Sequence, residues 1–274
     1  MIRLHRIWML SIVLSFAMCG FLVFAQVPGA QIELDAARGA SKNAWKNFGT
    51  VGGEFPAGPN GAPTLEAAAG KDPARYTGAT GKIFGMDPPT KATPIIHLED
   101  WTVEIHIKRN GSGFAGEHHI GGFRSFNPRH QQRIDMHFNG ANTGTINVDT
   151  KGLKSPDRLT FKEVLDIGVN EWHRIAFVYN ETAKTFESYL DGKQVKKLAA
   201  KGLDYDPEQD MNFHSLFVSH VPEHGRSLNG SISLVRVYDK VLTAEQILQN
   251  FEGRAVSSSR DKLTTTWGSV KVRY

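Results

Sequence analysis

The chain has 274 residues, 40% hydrophobic and 22% charged, with 32 Lys and Arg against 28 Asp and Glu and a single cysteine. That length suits one large all-β domain or two small ones and buries enough apolar surface to stand without disulfides. The formal charge of +4 is small and its basic residues are scattered, which excludes a nucleic-acid stripe or a polybasic membrane patch.

At the N-terminus, Arg3, His5 and Arg6 precede an apolar run over residues 7–25, and Val23 and Ala25 stand three and one residues before Gln26. Basic, then apolar, then small is the order of a secretory signal peptide, residues 1–25. It predicts an exported protein, periplasmic, cell-surface or extracellular. An uncleaved anchor is the alternative, because about 18 apolar residues can span a bilayer. Membrane contact is expected only through this segment. Cleavage removes Cys19, and with it any thiol chemistry.

Residues 26–31 read as a leader, 32–253 as one domain and 254–274 as a Ser-rich tail. Residues 32–34 predict a first strand. Residues 36–91, rich in Gly, Ala, Pro and Asn, predict long loops with short strands near Leu65, Tyr76 and Ile83. Beyond them strand signals dominate. Val103, Ile105 and Ile107 alternate with Thr102, Glu104, His106 and Lys108, and Ile134, Met136 and Phe138 alternate with Arg133, Asp135 and His137. Period-two alternation buries one face of a strand and leaves the other polar. Residues 173–179 are more continuously apolar, as in a central strand. Residues 185–190 and 194–198 flank Asp191-Gly192, a hairpin signal. Residues 213–218 and 232–238 complete the strands, and the pair Leu234-Val235 breaks the alternation, predicting a bulge. Thr243 with Gln246 three residues on predicts a capped helix over 244–251. The pattern predicts an all-β, two-sheet antiparallel jelly-roll sandwich with one short C-terminal helix.

Several motifs carry a family resemblance. Trp45, Asn47, Gly49, Gly52, Gly53 and Phe55 form an early W-x-N-x-G-x-x-G-G-x-F pattern. Thr102-Val103-Glu104, Trp172-His173 before an apolar strand, and Asp191-Gly192 follow. Gly230, Ile232, Val235, Arg236, Val237, Tyr238, Asp239, Leu242 and Thr243 close the chain's pattern. Together these resemble a laminin-G-like jelly-roll domain of the concanavalin A-like lectin/glucanase superfamily, over about residues 32–252. The resemblance implies an exported ligand-binding module. It also implies calcium at a loop rim, where Asp204, Asp206, Glu208 and Asp210 offer alternating hard oxygen ligands, or else form a solvated acidic loop. Glucanases of the superfamily carry E-x-D-x-x-E on one strand. The match here is Glu33-Leu34-Asp35, with Arg38 in place of the last Glu, which argues against that chemistry.

Histidine and carboxylate side chains are the other candidates. Glu104 with His106 and Asp135 with His137 each share a strand face, and Glu117, His118 and His119 lie in a glycine-flanked loop. Were their strands neighbours, they would form one polar patch. It reads as a metal or sugar site, as an acid/base pair, or as a solvated strand face. His220, Glu223 and His224 have helical spacing that Pro222 opposes. Residues 111–116 spell G-x-G-x-x-G without the helix that phosphate binding requires. Trp45, Phe114, Phe123, Phe126, Tyr205 and Trp267 lie in or near loops, where rings either stack on sugars or fold over the core edge.

The reading is a non-catalytic module recognising carbohydrate or an extracellular protein. Its expected polar contacts are Glu117, His118, His119, Asn127, Arg129, His130, Asp135 and His137. No catalytic residue is assigned. For a polysaccharide glycosidase or lyase, Glu104, His106, Asp135 and His137 would carry the chemistry. A structural envelope or adhesion protein is the third alternative.

Overall fold

The computed structural model describes residues 26–79, 81–85, 95–96, 99–111, 118–125, 133–139, 144–151, 159–200, 211–217 and 227–253. Within these, the strands in chain order are β1 (Ile32–Asp35), β2 (Ala44–Lys46), β3 (Glu54–Pro56), β4 (Thr64–Glu66), β5 (Arg75–Thr77), β6 (Ile95–Ile96), β7 (Trp101–Arg109), β8 (His118–Ser125), β9 (Arg133–Phe138), β10 (Thr145–Lys151), β11 (Leu159–Asp166), β12 (Trp172–Asn180), β13 (Thr185–Leu190), β14 (Lys193–Ala199), β15 (Met211–Leu216) and β16 (Gly230–Tyr238). One turn of helix, α1 (Ala36–Gly39), is capped by the Asp35 side chain, and α2 covers residues 244–253. Residues 27–251 form one unit. The other comprises 1–26 and 252–274, of which residues 26, 252 and 253 are described.

Eight strands form one antiparallel sheet, in the order β14-β13-β12-β7-β16-β5-β4 with β1 also paired to β16. Six form a second, in the order β11-β10-β9-β8-β15-β6, and β2 and β3 make a separate hairpin. Val103, Ile105 and Ile107 of β7 enter the same core cluster as Ile134, Met136 and Phe138 of β9. Phe161 of β11 stacks on Phe186 of β13 with ring centroids 4.1 Å apart, and Ser188 Oγ donates to the Val164 carbonyl at 2.6 Å. The sheets are therefore layered face to face, the jelly-roll sandwich that the alternation predicts. Each large apolar side chain sealed between them contributes roughly 1.5–3 kcal/mol.

The bulge lies at Ser233. β16 pairs Ile232 with Ile107 and then Leu234 with His106, leaving Ser233 as the extra residue. This turns Ile232, Val235 and Val237 all into the core, which strict alternation forbids. The hairpin signal at Asp191-Gly192 joins β13 to β14 with φ of 50° and 80°, so both central residues are left-handed. At α2, Thr243 N donates to Gln246 Oε1 at 3.0 Å and Gln246 N to Thr243 Oγ1 at 3.3 Å, the reciprocal cap.

In the W-x-N hairpin the role of Asn47 is structural. Its Oδ1 accepts from the Glu33 and Gly49 amides, at 2.7 and 2.9 Å, and its Nδ2 donates to the Gly52 carbonyl at 2.8 Å. Two loop assignments are corrected. His118 and His119 open strand β8 rather than a loop, and Trp45 and Phe123 are buried core residues that cannot stack on a sugar. Near Ile83 there are isolated bridges from Phe84 to Ala57 and to Leu216 instead of a strand.

The outer face of the eight-stranded sheet is covered over part of its area. Val27, Ala30, Leu242 and Ile247 pack there against Ala176, Val178, Tyr189 and Tyr238.

Candidate functional site

Alternation sends the polar residues of β9 away from the core, onto the outer face of the six-stranded sheet. Two rows cross that face in register. One runs His119, His137, Asn147, and the other Gly122, Asp135, Asp149, Thr160. His137 Nε2 lies 2.9 Å from Asp149 Oδ2, and Thr160 Oγ1 donates to Asp149 Oδ1 at 2.6 Å. The His119 and His137 rings stack with centroids 5.4 Å apart and planes 22° apart. Arg133 Nε lies 3.5 Å from Asp135 Oδ2, and Asn147 Oδ1 accepts the Glu163 amide at 2.8 Å. Gly122 makes room for Asp135, since a Cβ there would stand 2.5 Å from Asp135 Oδ1.

His119, Asp135, His137, Asn147 and Asp149 are all buried, Asp149 completely. Two carboxylates placed directly opposite each other on a sheet repel. Burial sharpens that repulsion, and Arg133 and His137 offset it. Apolar residues of similar size would serve the scaffold at least as well. A polar cluster that breaks the packing rule at a defined place marks a site more than a scaffold. Asp149, Asn147 and Thr160 escaped the sequence reading. The signal was present, since Ile146 and Val148 alternate with Asn147 and Asp149 as the residues of β9 do.

The expected joining of Glu104 and His106 with Asp135 and His137 does not occur. β7 belongs to the eight-stranded sheet and β9 to the six-stranded one, and their inward residues meet in one core. Their polar faces therefore look in opposite directions. Glu104 lies beneath α2, where Asn250 Nδ2 donates to its Oε2 at 2.9 Å and Arg236 Nη1 stands 3.8 Å away. Burial pushes its carboxyl above the usual range, and Arg236 and Asn250 pull less strongly the other way. Asn250 also accepts the Val27 amide at 2.8 Å, and Arg174 donates to the Asn250 and Phe251 carbonyls that end α2. Glu104 is thus part of a clasp that ties the Val27 segment and α2 to the sheet. His106 lies nearby, with Nδ1 2.6 Å from Ser233 Oγ.

Glu117, Asn127, Arg129 and His130 lie outside the described residues, as do Asp204, Asp206, Glu208 and Asp210, the His220 to His224 segment, and Phe114, Phe126, Tyr205 and Trp267. Of His118 only the backbone is described. Among the described residues no three His, Cys, Asp or Glu side chains group to hold a metal, and no helix is long and apolar enough to cross a membrane.

Solved structures share this sandwich. Domain 4 of the extracellular arabinanase AbnA of Geobacillus stearothermophilus, in complex with arabinotriose, aligns with a TM-score of 0.54 at 15% identity, over 81% of this chain and 98% of that one. The receptor-binding domain of botulinum neurotoxin D aligns with a TM-score of 0.54 at 15% identity, over 82% of this chain and 53% of that one. The binding domain of botulinum neurotoxin serotype G gives 0.54 at 11% identity, over 81% and 50%. At such identities the likeness shows the fold alone. No curated protein matches the sequence. The laminin-G family model matches residues 89–248, more than half of the chain. Together with the layered sheets, that match means the chain belongs to the Concanavalin A-like lectin/glucanases superfamily.

Proposed function

We propose that this protein is an exported, non-catalytic carbohydrate-binding module. Its recognition surface is the outer face of the six-stranded sheet with the segments that join its strands. The observation that carries the reading is the buried double row of His119, His137 and Asn147 beside Asp135 and Asp149. Held in fixed register, these imidazoles, amides and carboxylates form a rigid polar floor for that surface. In sequence, Glu117 precedes β8, His118 opens it, and Asn127, Arg129 and His130 stand between β8 and β9. Fold neighbours support the ligand class, since one is a domain bound to arabinotriose and others are toxin binding domains. Hydrolysis is disfavoured by the fate of Asp149, which has no exposed surface and is engaged by both His137 and Thr160. Export rests on the signal-peptide pattern of residues 1–25.

The test is a glycan array probed in calcium and in EDTA, paired with a reducing-sugar assay on every glycan retained. Retention without product is the expected result, and Asp135→Asn should weaken it. Product release would overturn the non-catalytic reading, and an array with no retained glycan would overturn the module itself. Loss of retention in EDTA would assign calcium a part, with Asp204, Asp206, Glu208 and Asp210 as the residues to vary.

A further inference from the structure

The outer face of the eight-stranded sheet carries a second polar row, away from α2. Thr64, Thr77, Ser231, Lys108 and Trp172 stand opposite one another on β4, β5, β16, β7 and β12. Four of the five are hydroxyl or ammonium side chains and the fifth is an indole at the end of the row. Thr77 Oγ1 lies 3.0 Å from Ser231 Oγ, which also takes Asn110 Nδ2 at 3.2 Å. None of Thr77, Lys108, Asn110 or Trp172 is fully buried.

The Trp172 ring is held in place. Its Nε1 donates to Asp72 Oδ1 at 2.9 Å, the His106 ring lies 4.7 Å away between centroids, and Lys108 Nζ stands 5.4 Å from its centre. A fixed ring loses little freedom when a ligand stacks on it. The charges around it are spent on one another. Lys108 bonds Asp72 Oδ2 at 3.0 Å, Arg75 reaches Asp72 at 3.4 Å, and Arg75 also pairs with Glu66. Two cations meet two anions, so this cluster has directional hydrogen-bonding groups and balanced charges.

We infer that this row is a binding platform for a neutral oligosaccharide, with Trp172 stacking on one sugar ring, Thr77, Asn110 and Lys108 meeting the hydroxyls of the next, and buried Ser231 holding Thr77 and Asn110 from beneath. Pyranose and furanose rings present C–H faces to an aromatic side chain while their edges seek donors and acceptors. A row of hydroxyl, ammonium and indole groups crossing five strands matches an extended chain of sugars better than it matches a compact ligand. The platform shares its class of ligand with the site proposed above, but it uses different residues on the opposite sheet.

The experiment is 19F NMR of the full-length protein carrying 5-fluorotryptophan, with the Trp172 signal assigned through Trp172→Phe. The probes are arabinotriose, xylohexaose, cellohexaose and laminarihexaose, against a heparin hexasaccharide as the anionic control. A neutral probe is expected to shift the Trp172 resonance and leave those of buried Trp45 and Trp101 in place. Trp172→Ala should weaken that probe by roughly tenfold or more, as lost stacking does. Trp172→Phe keeps a ring and should lose less. A glycan retained on the array that never moves the Trp172 resonance would overturn the platform and leave the carbohydrate reading standing. A shift by the heparin fragment alone would overturn the neutral class. If no glycan is retained and no probe moves the signal, both fall. The wild-type titration decides the matter even if Trp172→Ala does not fold.

Discussion

Asp149 and Asp72 do the same job on opposite faces of the sandwich. Each is a carboxylate that ties together side chains from neighbouring elements. Asp149 takes His137 and Thr160 with no exposed surface, whereas Asp72 takes Lys108 and Trp172 with 32% of its side chain exposed. The difference is what surrounds them. A buried acceptor cannot be replaced by water, so its loss strands its donors. A half-exposed one can be replaced, and its loss costs mainly the order of the groups that it held. The first arrangement fixes a site into the fold. The second leaves a surface adjustable.

The largest effect that separates the two is expected from Asp149→Ala. It leaves His137 and Thr160 without their acceptor in a buried place, at a cost of about 3–5 kcal/mol if His137 carries charge. A urea unfolding midpoint checks it, and a change under about 1 kcal/mol would mean that water reaches the row after all. Asn250→Ala comes next. It removes the groups that bind the Val27 amide and Glu104, and should cost about 1–3 kcal/mol. Hydrogen exchange should then quicken at Val27 before it quickens in the core strands, which places the loss in the clasp rather than in the sandwich.

Most of this fold can be read from the sequence, because alternation states which side of a strand faces the core. It correctly turned Ile105 inward with Glu104 outward, and Met136 inward with His137 outward. It does not state which sheet a strand joins. Whether Glu104 and Asp135 share a face is therefore left open by alternation, and the placement of β7 and β9 in different sheets decides it. Strand β8 was hidden for another reason. Its Gly121-Gly122 reads as a loop, yet glycine is needed there because Asp135 and the Leu216 side chain stand too close for a Cβ. The platform row was illegible as a row. Thr64, Thr77, Lys108, Trp172 and Ser231 are scattered along the chain, and only the register of five strands aligns them.

Glu104 gives the comparison a pH axis. Its carboxyl titrates above the ordinary value of 4.5 in the folded protein, chiefly through burial. A folded pKa that is raised favours the protonated folded state. Its stabilising contribution is thus complete below the unfolded value and is lost as pH rises through the folded one. Glu104→Gln imitates the protonated form. Relative to the parent, the variant should gain melting temperature as pH rises above about 4.5, and the gap should close in acid. A gap that stays constant with pH would mean that Arg236 fully compensates the charge.

Asp72 titrates the other way and gives the smallest effect. Hydrogen bonds from Lys108 and then Trp172 hold its carboxyl below the ordinary value of 3.8. A depressed folded pKa means stability that is present above the unfolded value and lost as pH falls through the folded one. Because the group is partly exposed, Asp72→Asn should cost only about 0–1 kcal/mol at neutral pH. The difference from the parent should vanish once acid has protonated Asp72, well below pH 3.8. The side-chain amide still offers Trp172 an acceptor but no longer neutralises Lys108 and Arg75. The variant should therefore keep the indole in place and turn the platform positive. Raising the salt concentration should then shrink what stability difference remains, since exposed charges are screened over about 8–10 Å. A loss as large as that of Asp149→Ala would show that Asp72 is buried in solution, and the contrast between the two faces would fail.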